Sequence, residues 1–314
     1  MKKIFLDILL TILIMTVVIL SVIFLFYSLI PDQYETNYVE VMWDKYQRLN
    51  SIDEPKIVLI GDSNLAFGIN SELVQNEIGM PVVNMGLHGG LGNDVQTRLA
   101  MTNVNKDDLY IICYTDYAQT DDISQKDLTL IMLSRHKELW NTLSIKQKIE
   151  LLPGIPDYMF NSISFYISGR GNEPIQDMYL DYACNSFNKF GDDVVRIQEN
   201  DYFELEDVES KISSISEETI RMIQYWKEYC DERGAKLVIA GYPIVRTSNM
   251  PAKEDFDEFG IMLEKKTGCN TISQFSDYFI EPELLYDSLY HLTLEGADYR
   301  SELLAKDIKR YLNQ

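Results

Sequence analysis

Twenty-three consecutive uncharged residues, Ile8 to Ile30, stand near the start of this 314-residue chain and end at Pro31. At about 1.5 Å per residue such a run makes a helix long enough for a hydrocarbon core of roughly 30 Å. A buried core helix would carry a polar face, and here the polar positions are only Thr11, Thr16, Ser21 and Ser28. A cleaved secretory leader has a shorter apolar region followed by a small-residue cleavage site. This run is longer and closes on Phe-Leu-Phe-Tyr-Ser-Leu-Ile-Pro. The sequence therefore predicts an uncleaved anchor at 8–30 behind a short tail, 1–7. Lys2 and Lys3 precede the anchor, whereas Asp32 and Glu35 follow it before the first base, Lys45. Positive flanks stay cytoplasmic, so a single-pass protein of the cell membrane is expected, with its tail inside and its body outside.

The charge balance narrows the partners. The chain carries a net −21, and because residues 1–30 contribute +1, the rest carries −22. Such a surface repels nucleic-acid phosphates, and no basic stripe compensates, so no nucleic acid is expected as a partner. The four cysteines, Cys113, Cys184, Cys230 and Cys269, form no CxxC pair and read as free core thiols. There is no P-loop, dinucleotide fingerprint or paired-carboxylate metal motif, and neither a cofactor nor a metal is expected.

Beyond the anchor, 31–55 lacks clear periodicity and reads as a stalk or short helix leading away from the bilayer. Lys56–Ile60, Pro81–Met85 and Leu109–Cys113 are short apolar runs about 25 residues apart, with helical segments such as Asp94–Val104 between them. Strands and helices alternating at that pitch predict βαβ units and a parallel sheet. The alternation resumes with a helix bearing Ile220, Ile223, Trp226 and Cys230 and ended by Gly234, then a strand at Lys236–Ala240. A helix bearing Phe256, Phe259 and Leu263, a last strand at Cys269–Ile272 and a closing helix bearing Leu304, Ile308 and Leu312 complete it. The body is thus one α/β domain, 56–314. Residues 120–215, rich in Tyr, Phe, Asn and Asp, interrupt it as an insertion of helices and loops over the strand ends.

Ile60-Gly-Asp-Ser-Asn64 follows the first strand. Functional groups of open α/β sheets gather beyond the carboxyl ends of the strands, so Ser63 stands where a nucleophile would. A serine there also caps helices routinely, and the motif alone leaves both readings open. The far end of the chain weighs on the first. A serine hydroxyl needs a base, and histidine has the right pKa. Of three histidines, His291 lies in Tyr286-Asp-Ser-Leu-Tyr-His-Leu-Thr-Leu-Glu-Gly296, where Asp287 is the candidate to orient the imidazole. His88 lies among the glycines of 84–90, Tyr242-Pro243 follows the fourth strand, and His136 has no evident partner.

These residues resemble the SGNH (GDSL-type) hydrolase family. Gly61-Asp62-Ser63-Asn64 is similar to its first block, Asn84-Met-Gly86-Leu-His-Gly-Gly90 to its second, and Asp287 with His291-Leu292 to its last, over about 56–115 and 216–312. More narrowly, the arrangement resembles membrane-anchored SGNH-like envelope proteins of the D-alanyl-transfer-protein type. The resemblance implies a three-layer flavodoxin-like fold and a catalytic set of Ser63, His291 and Asp287, with an oxyanion hole from the N–H groups of Ser63 and Gly90. Two departures stand out. Asp116 occupies the third-block position where the family has Asn, while Gly92-Asn93-Asp94 imitates that block before the third strand. Asp287 is four residues ahead of His291 rather than three, leaving Ser288 in the usual carboxylate position. The implied activity is ester hydrolysis or O-acyl transfer on an acylated extracytoplasmic glycan or envelope polymer, with a membrane acyltransferase as partner in the transfer case. The alternative is a catalytically degenerate scaffold that binds glycan or a membrane partner.

Overall fold

Alternate residues of the central strands are buried in two different cores, which is why these strands read as continuous apolar runs rather than alternating ones. The computed structural model describes residues 2–119, 122–170, 182–196 and 211–313. Its main sheet contains β1 (Ile57–Gly61), β2 (Val82–Asn84), β3 (Leu109–Cys113), β4 (Lys236–Ile239) and, at the edge, Asn270–Thr271. A second pair joins β5 (Ile244–Val245) to β7 (Phe279–Ile280), the edge strand Asn270–Thr271 being β6. The main sheet is parallel throughout, in the order β2-β1-β3-β4-β6. Its order reverses beside β1, and the carboxyl ends of β1 and β3 flank that switch point.

Val58, Ile60, Tyr110, Ile112, Leu237 and Ile239 face one core, which α5 (Asn93–Ala100), α10 (Glu217–Glu232) and α11 (Lys253–Thr267) cover. Ile57, Leu59, Leu109, Ile111, Cys113 and Val238 face the other, closed by α4 (Ser71–Ile78) and α12 (Leu294–Leu312) through Val74, Leu304 and Ile308. The protein is therefore α/β with a parallel central sheet covered on both sides. Leu312 is left exposed, and all four cysteines are free thiols.

The first helix, α1 (Lys2–Leu29), is long and apolar enough to cross a membrane, with a mean hydropathy of 3.1. Its last turn is fixed to the body. Arg135 donates to the Tyr27 and Ile30 carbonyls, its guanidinium lies over the Tyr27 ring, and the Tyr27 hydroxyl meets that of Ser134.

The stretch read as a stalk is part of the core. Val41, Met42 and Leu49 of α2 (Val41–Ser51) are buried with Tyr38 and Val39 just before it. The apolar stripe went unseen because Lys45 stands within it. Its ammonium is buried and donates to the carbonyls of Gly86 (2.5 Å) and Gly191 (2.6 Å), and burial lowers its pKa to about 7.

The insertion divides in two. Helices α6 (Lys126–Leu133), α7 (Lys137–Thr142), α8 (Ile145–Leu151) and α9 (Ile155–Phe165) pack on one another, on the end of α1 and on α5. A strap, 182–196, then runs back over the ends of β1 and β2. Asp193 N donates to Ala66 O, Asn84 N to Phe190 O, and the buried Asp192 carboxylate accepts from Ser71 and Asn84. Residues 171–181 and 197–210, also assigned to the insertion, lie outside the described residues.

Candidate active site

The turn after β1 is built by close approach. A Cβ on Gly61 would lie 2.9 Å from the Cys113 carbonyl, and one on Gly86 would lie 2.7 Å from that of Asp62. Asp62 is committed to holding the turn: Oδ1 accepts from the Asn64 N–H and side-chain amide, Oδ2 from the Thr115 hydroxyl (2.5 Å). Ser63 opens a four-residue helix, α3 (Ser63–Ala66), for which Asp62 is the cap. That frees Ser63 from the capping role which its sequence context equally allowed.

Such a short helix leaves its last carbonyls without internal partners. The fully buried Arg300 of α12 donates to the carbonyls of Asn64 (2.7 Å) and Gly68 and to Asn64 Oδ1. Arg196 of the strap donates to the Phe67 and Leu292 carbonyls.

His291 sits on a hairpin closed by the Leu285–Leu292 bridge and by Tyr286 N donating to its own carbonyl. The Ser288 hydroxyl accepts from the His291 and Tyr290 N–H groups and turns the chain. Ser288 thereby absorbs the extra residue of the spacing and brings Asp287 Oδ1 to 2.6 Å from His291 Nδ1. Sequence reasoning missed a third member, Tyr182 of the strap. Its hydroxyl donates to Asp287 Oδ2 (2.5 Å), and its oxygen lies 3.1 Å from His291 Nδ1. Burial would push the Asp287 carboxyl up, but the His291 hydrogen bond and charge together with the Tyr182 hydroxyl outweigh it and hold its pKa below the ordinary value. An imidazole with Nδ1–H on a carboxylate keeps Nε2 as acceptor.

The two ends of the chain meet through Phe67. Its N–H donates to the Ser63 carbonyl, its ring stacks on His291 at 4.3 Å, and its carbonyl accepts from Leu292 N. Among the described residues, neither the Ser63 hydroxyl nor His291 Nε2 has a hydrogen-bond partner, so the two are not bonded to each other.

Gly90 is a correction. Its N–H donates to His88 Nδ1 at 2.9 Å, which removes it from the expected oxyanion hole. Gly89 has an N–H without a partner among the described residues, and a Cβ there would come to 3.9 Å of Asp62 Cβ. Asp116 is also engaged: Oδ1 accepts from Ala118 N and the Ser213 hydroxyl, and its carbonyl accepts from Asn93. Asn93 thus ties α5 to the loop after β3, while Gly92, at a φ of 83°, is the cap. Tyr242 is buried against Phe275, and His136 stacks on Trp43 and meets Glu40, whose carboxyl burial raises to about 7. Among the described residues no three His, Cys, Asp or Glu side chains gather as a metal site. A cavity of about 610 Å³ between α11, β6 and α12 shares no residue with this constellation.

The chain matches no family model, no curated protein and no solved structure.

Proposed function

We propose that the protein is a serine-dependent ester hydrolase or O-acyltransferase of the SGNH type, held at the outer face of the membrane by α1 and acting on an acylated glycan or envelope polymer. The observation that carries this reading is the Tyr182–Asp287–His291 set, stacked on the residue that closes the Ser63 helix. The strand order β2-β1-β3-β4-β6 is that of flavodoxin-like sheets, and Ser63 follows the carboxyl end of β1. Ser63 Oγ attacks the acyl carbonyl and its proton passes to His291 Nε2. Asp287 stabilises the imidazolium, and the Ser63 and Gly89 N–H groups receive the oxyanion. The leaving hydroxyl takes the proton back from His291, and water or a sugar hydroxyl then accepts the acyl group.

The test is a fluorophosphonate probe on the full chain in detergent, with turnover of 4-nitrophenyl acetate in parallel. Labelling at Ser63, with Ser63→Ala lowering turnover at least about 10³-fold while the protein stays folded, is the expected result. A wild-type chain inert to both reagents would favour the degenerate scaffold that binds without catalysing, for which the missing third-block Asn is the specific argument.

A further inference from the structure

His88 lies beside the same site, close enough to His291 and Asp62 to feel their charges, and has one nitrogen to spare. Its Nδ1 accepts the Gly90 N–H at 2.9 Å. A ring nitrogen that accepts carries no proton, so the imidazole holds its proton on Nε2. Burial, and then the neighbouring charge of His291, lower the His88 pKa, which favours the neutral ring; the Gly90 N–H alone sets the tautomer. Among the described residues the Nε2–H has no acceptor, although the ring is only half-exposed at most.

Its place is set by three contacts. Gly89, the next residue, is the one that approaches Asp62. The Tyr38 ring meets His88 edge-on at 6.1 Å and lies 6.2 Å from Phe67, which is stacked on His291. The Tyr38 hydroxyl donates to the Leu87 carbonyl and so fixes the backbone on the other side of His88. A neutral N–H donor therefore stands near both the Asp62-Ser63 turn and His291, while the Asp116 carboxylate is already in use and supplies no donor.

We propose that His88 is a catalytic residue whose Nε2–H donates to the oxyanion formed when Ser63 attacks the acyl carbonyl, filling the place of the absent third-block amide. The inference rests on the esterase or acyltransferase reading. His88 transfers no proton: as the Ser63 Oγ–C bond forms, the carbonyl π pair moves onto oxygen, the hydroxyl proton goes to His291, and the Nε2–H hydrogen bond tightens on the new negative charge.

Two substitutions separate this donor from a mere cap. In His88→Asn the side-chain oxygen sits near the place of Nδ1 and Asn is a good N-cap, so the Gly90 bond survives but nothing reaches the Nε2 position. In His88→Gln the amide nitrogen reaches that position, while the cap is weakened. With full-length protein in detergent and 4-nitrophenyl acetate, His88→Asn is expected to keep the wild-type unfolding midpoint and KM yet lose about 10²–10³ in kcat. His88→Gln should unfold earlier but stay within about tenfold of the wild-type kcat. The reverse order, an active Asn variant and an impaired Gln variant, makes His88 a cap only and overturns the proposal. The chain has only three histidines, so selective 15N-histidine spectra can also be assigned by subtraction of His88→Asn. A His88 signal showing Nδ1–H rather than Nε2–H would overturn the proposal as well. Labelling of Ser63 by fluorophosphonate keeps the two failures apart. Ser63 labelled with His88→Asn fully active sinks only the His88 role, whereas unlabelled, inactive wild type sinks the parent reading and this one with it.

Discussion

Two regions far apart in the chain grip the Ser63 turn, and they do it with the same group. Arg300 comes from the closing helix, Arg196 from the strap inside the insertion, and each donates to carbonyls at the end of α3. Arg300 is fully buried and donates to carbonyl oxygens and to the Asn64 side chain rather than to a carboxylate. Arg196 is paired with Asp193 and lies over the Phe67 and Tyr286 rings. The closing helix thus places its cation as an integral part of the core. The strap brings its own counter-ion and rests on ring faces, as an added segment would. A guanidinium offers five donors in a rigid planar fork, a geometry that the three donors of a compact ammonium do not reproduce.

The difference predicts unequal costs. Arg300→Ala should destabilise the protein by about 3–5 kcal/mol, since it strands several buried acceptors and leaves a cavity. Arg300→Lys should recover little of that. Arg196→Ala should cost less, about 1–2 kcal/mol, because Arg196 is itself only part-buried, and water can take its place more readily than that of the fully buried Arg300. Denaturant unfolding of the full chain measures both, and equal losses would erase the distinction between integral and added segments.

Tyr182 asks whether the strap reaches beyond stability into the site. Tyr182→Phe removes one short donor to Asp287 while keeping the ring contacts with Tyr38 and Phe67. The expected loss is about tenfold in kcat, equivalent to roughly 1.4 kcal/mol, with the unfolding midpoint little changed. Unaltered kcat would confine the strap to holding the turn.

How much of this the sequence exposes follows from what each segment buries. β1, β3 and β4 bury both faces in apolar cores, so their runs are legible to within a residue. α10, α11 and α12 keep a 3.6-residue stripe and positive-φ Gly234 and Gly268 where chain breaks were expected. The apolar stripe of α2 was masked by the buried Lys45. The strap was hidden because its contacts are polar: Asp192 and Asp193 bury side chains that composition assigns to a surface loop, and the part-buried Asn188 donates to Asp192. Within the site, Ser63, Asp287 and His291 are chemically distinctive in their local strings. Tyr182 is one of 20 tyrosines, and nothing local marks it. Gly90 was misjudged because a histidine two residues upstream takes its N–H, a local competition that block resemblance does not register. The pair Asp192-Asp193 beside Gly191 was the available hint, since adjacent carboxylates in an otherwise aromatic stretch call for donors nearby.

The smallest effect sharpens the comparison through the sign of a pH dependence. The site's carboxyl, Asp287, has a folded-state pKa below its ordinary value despite burial, because His291 and Tyr182 favour its charged form. Between the folded and unfolded pKa values the native state binds fewer protons than the unfolded chain. Its stabilisation is therefore complete above the ordinary carboxylate range, about 4, and is lost as pH falls through the lower folded value. The strap's carboxyl, Asp192, moves the other way: burial raises its pKa against hydrogen bonds from Ser71, Asn84 and Asn188. There the native state holds the proton more tightly, so the contribution is complete below about 4 and declines as pH rises through the raised value. Denaturant unfolding from pH 3 to 7 should show the gap between wild type and Asp287→Asn shrinking with acid. The gap between wild type and Asp192→Asn should shrink in the opposite direction. Two gaps that move together would mean the strap and the His291 hairpin share one electrostatic environment, and the separation drawn between them would fail.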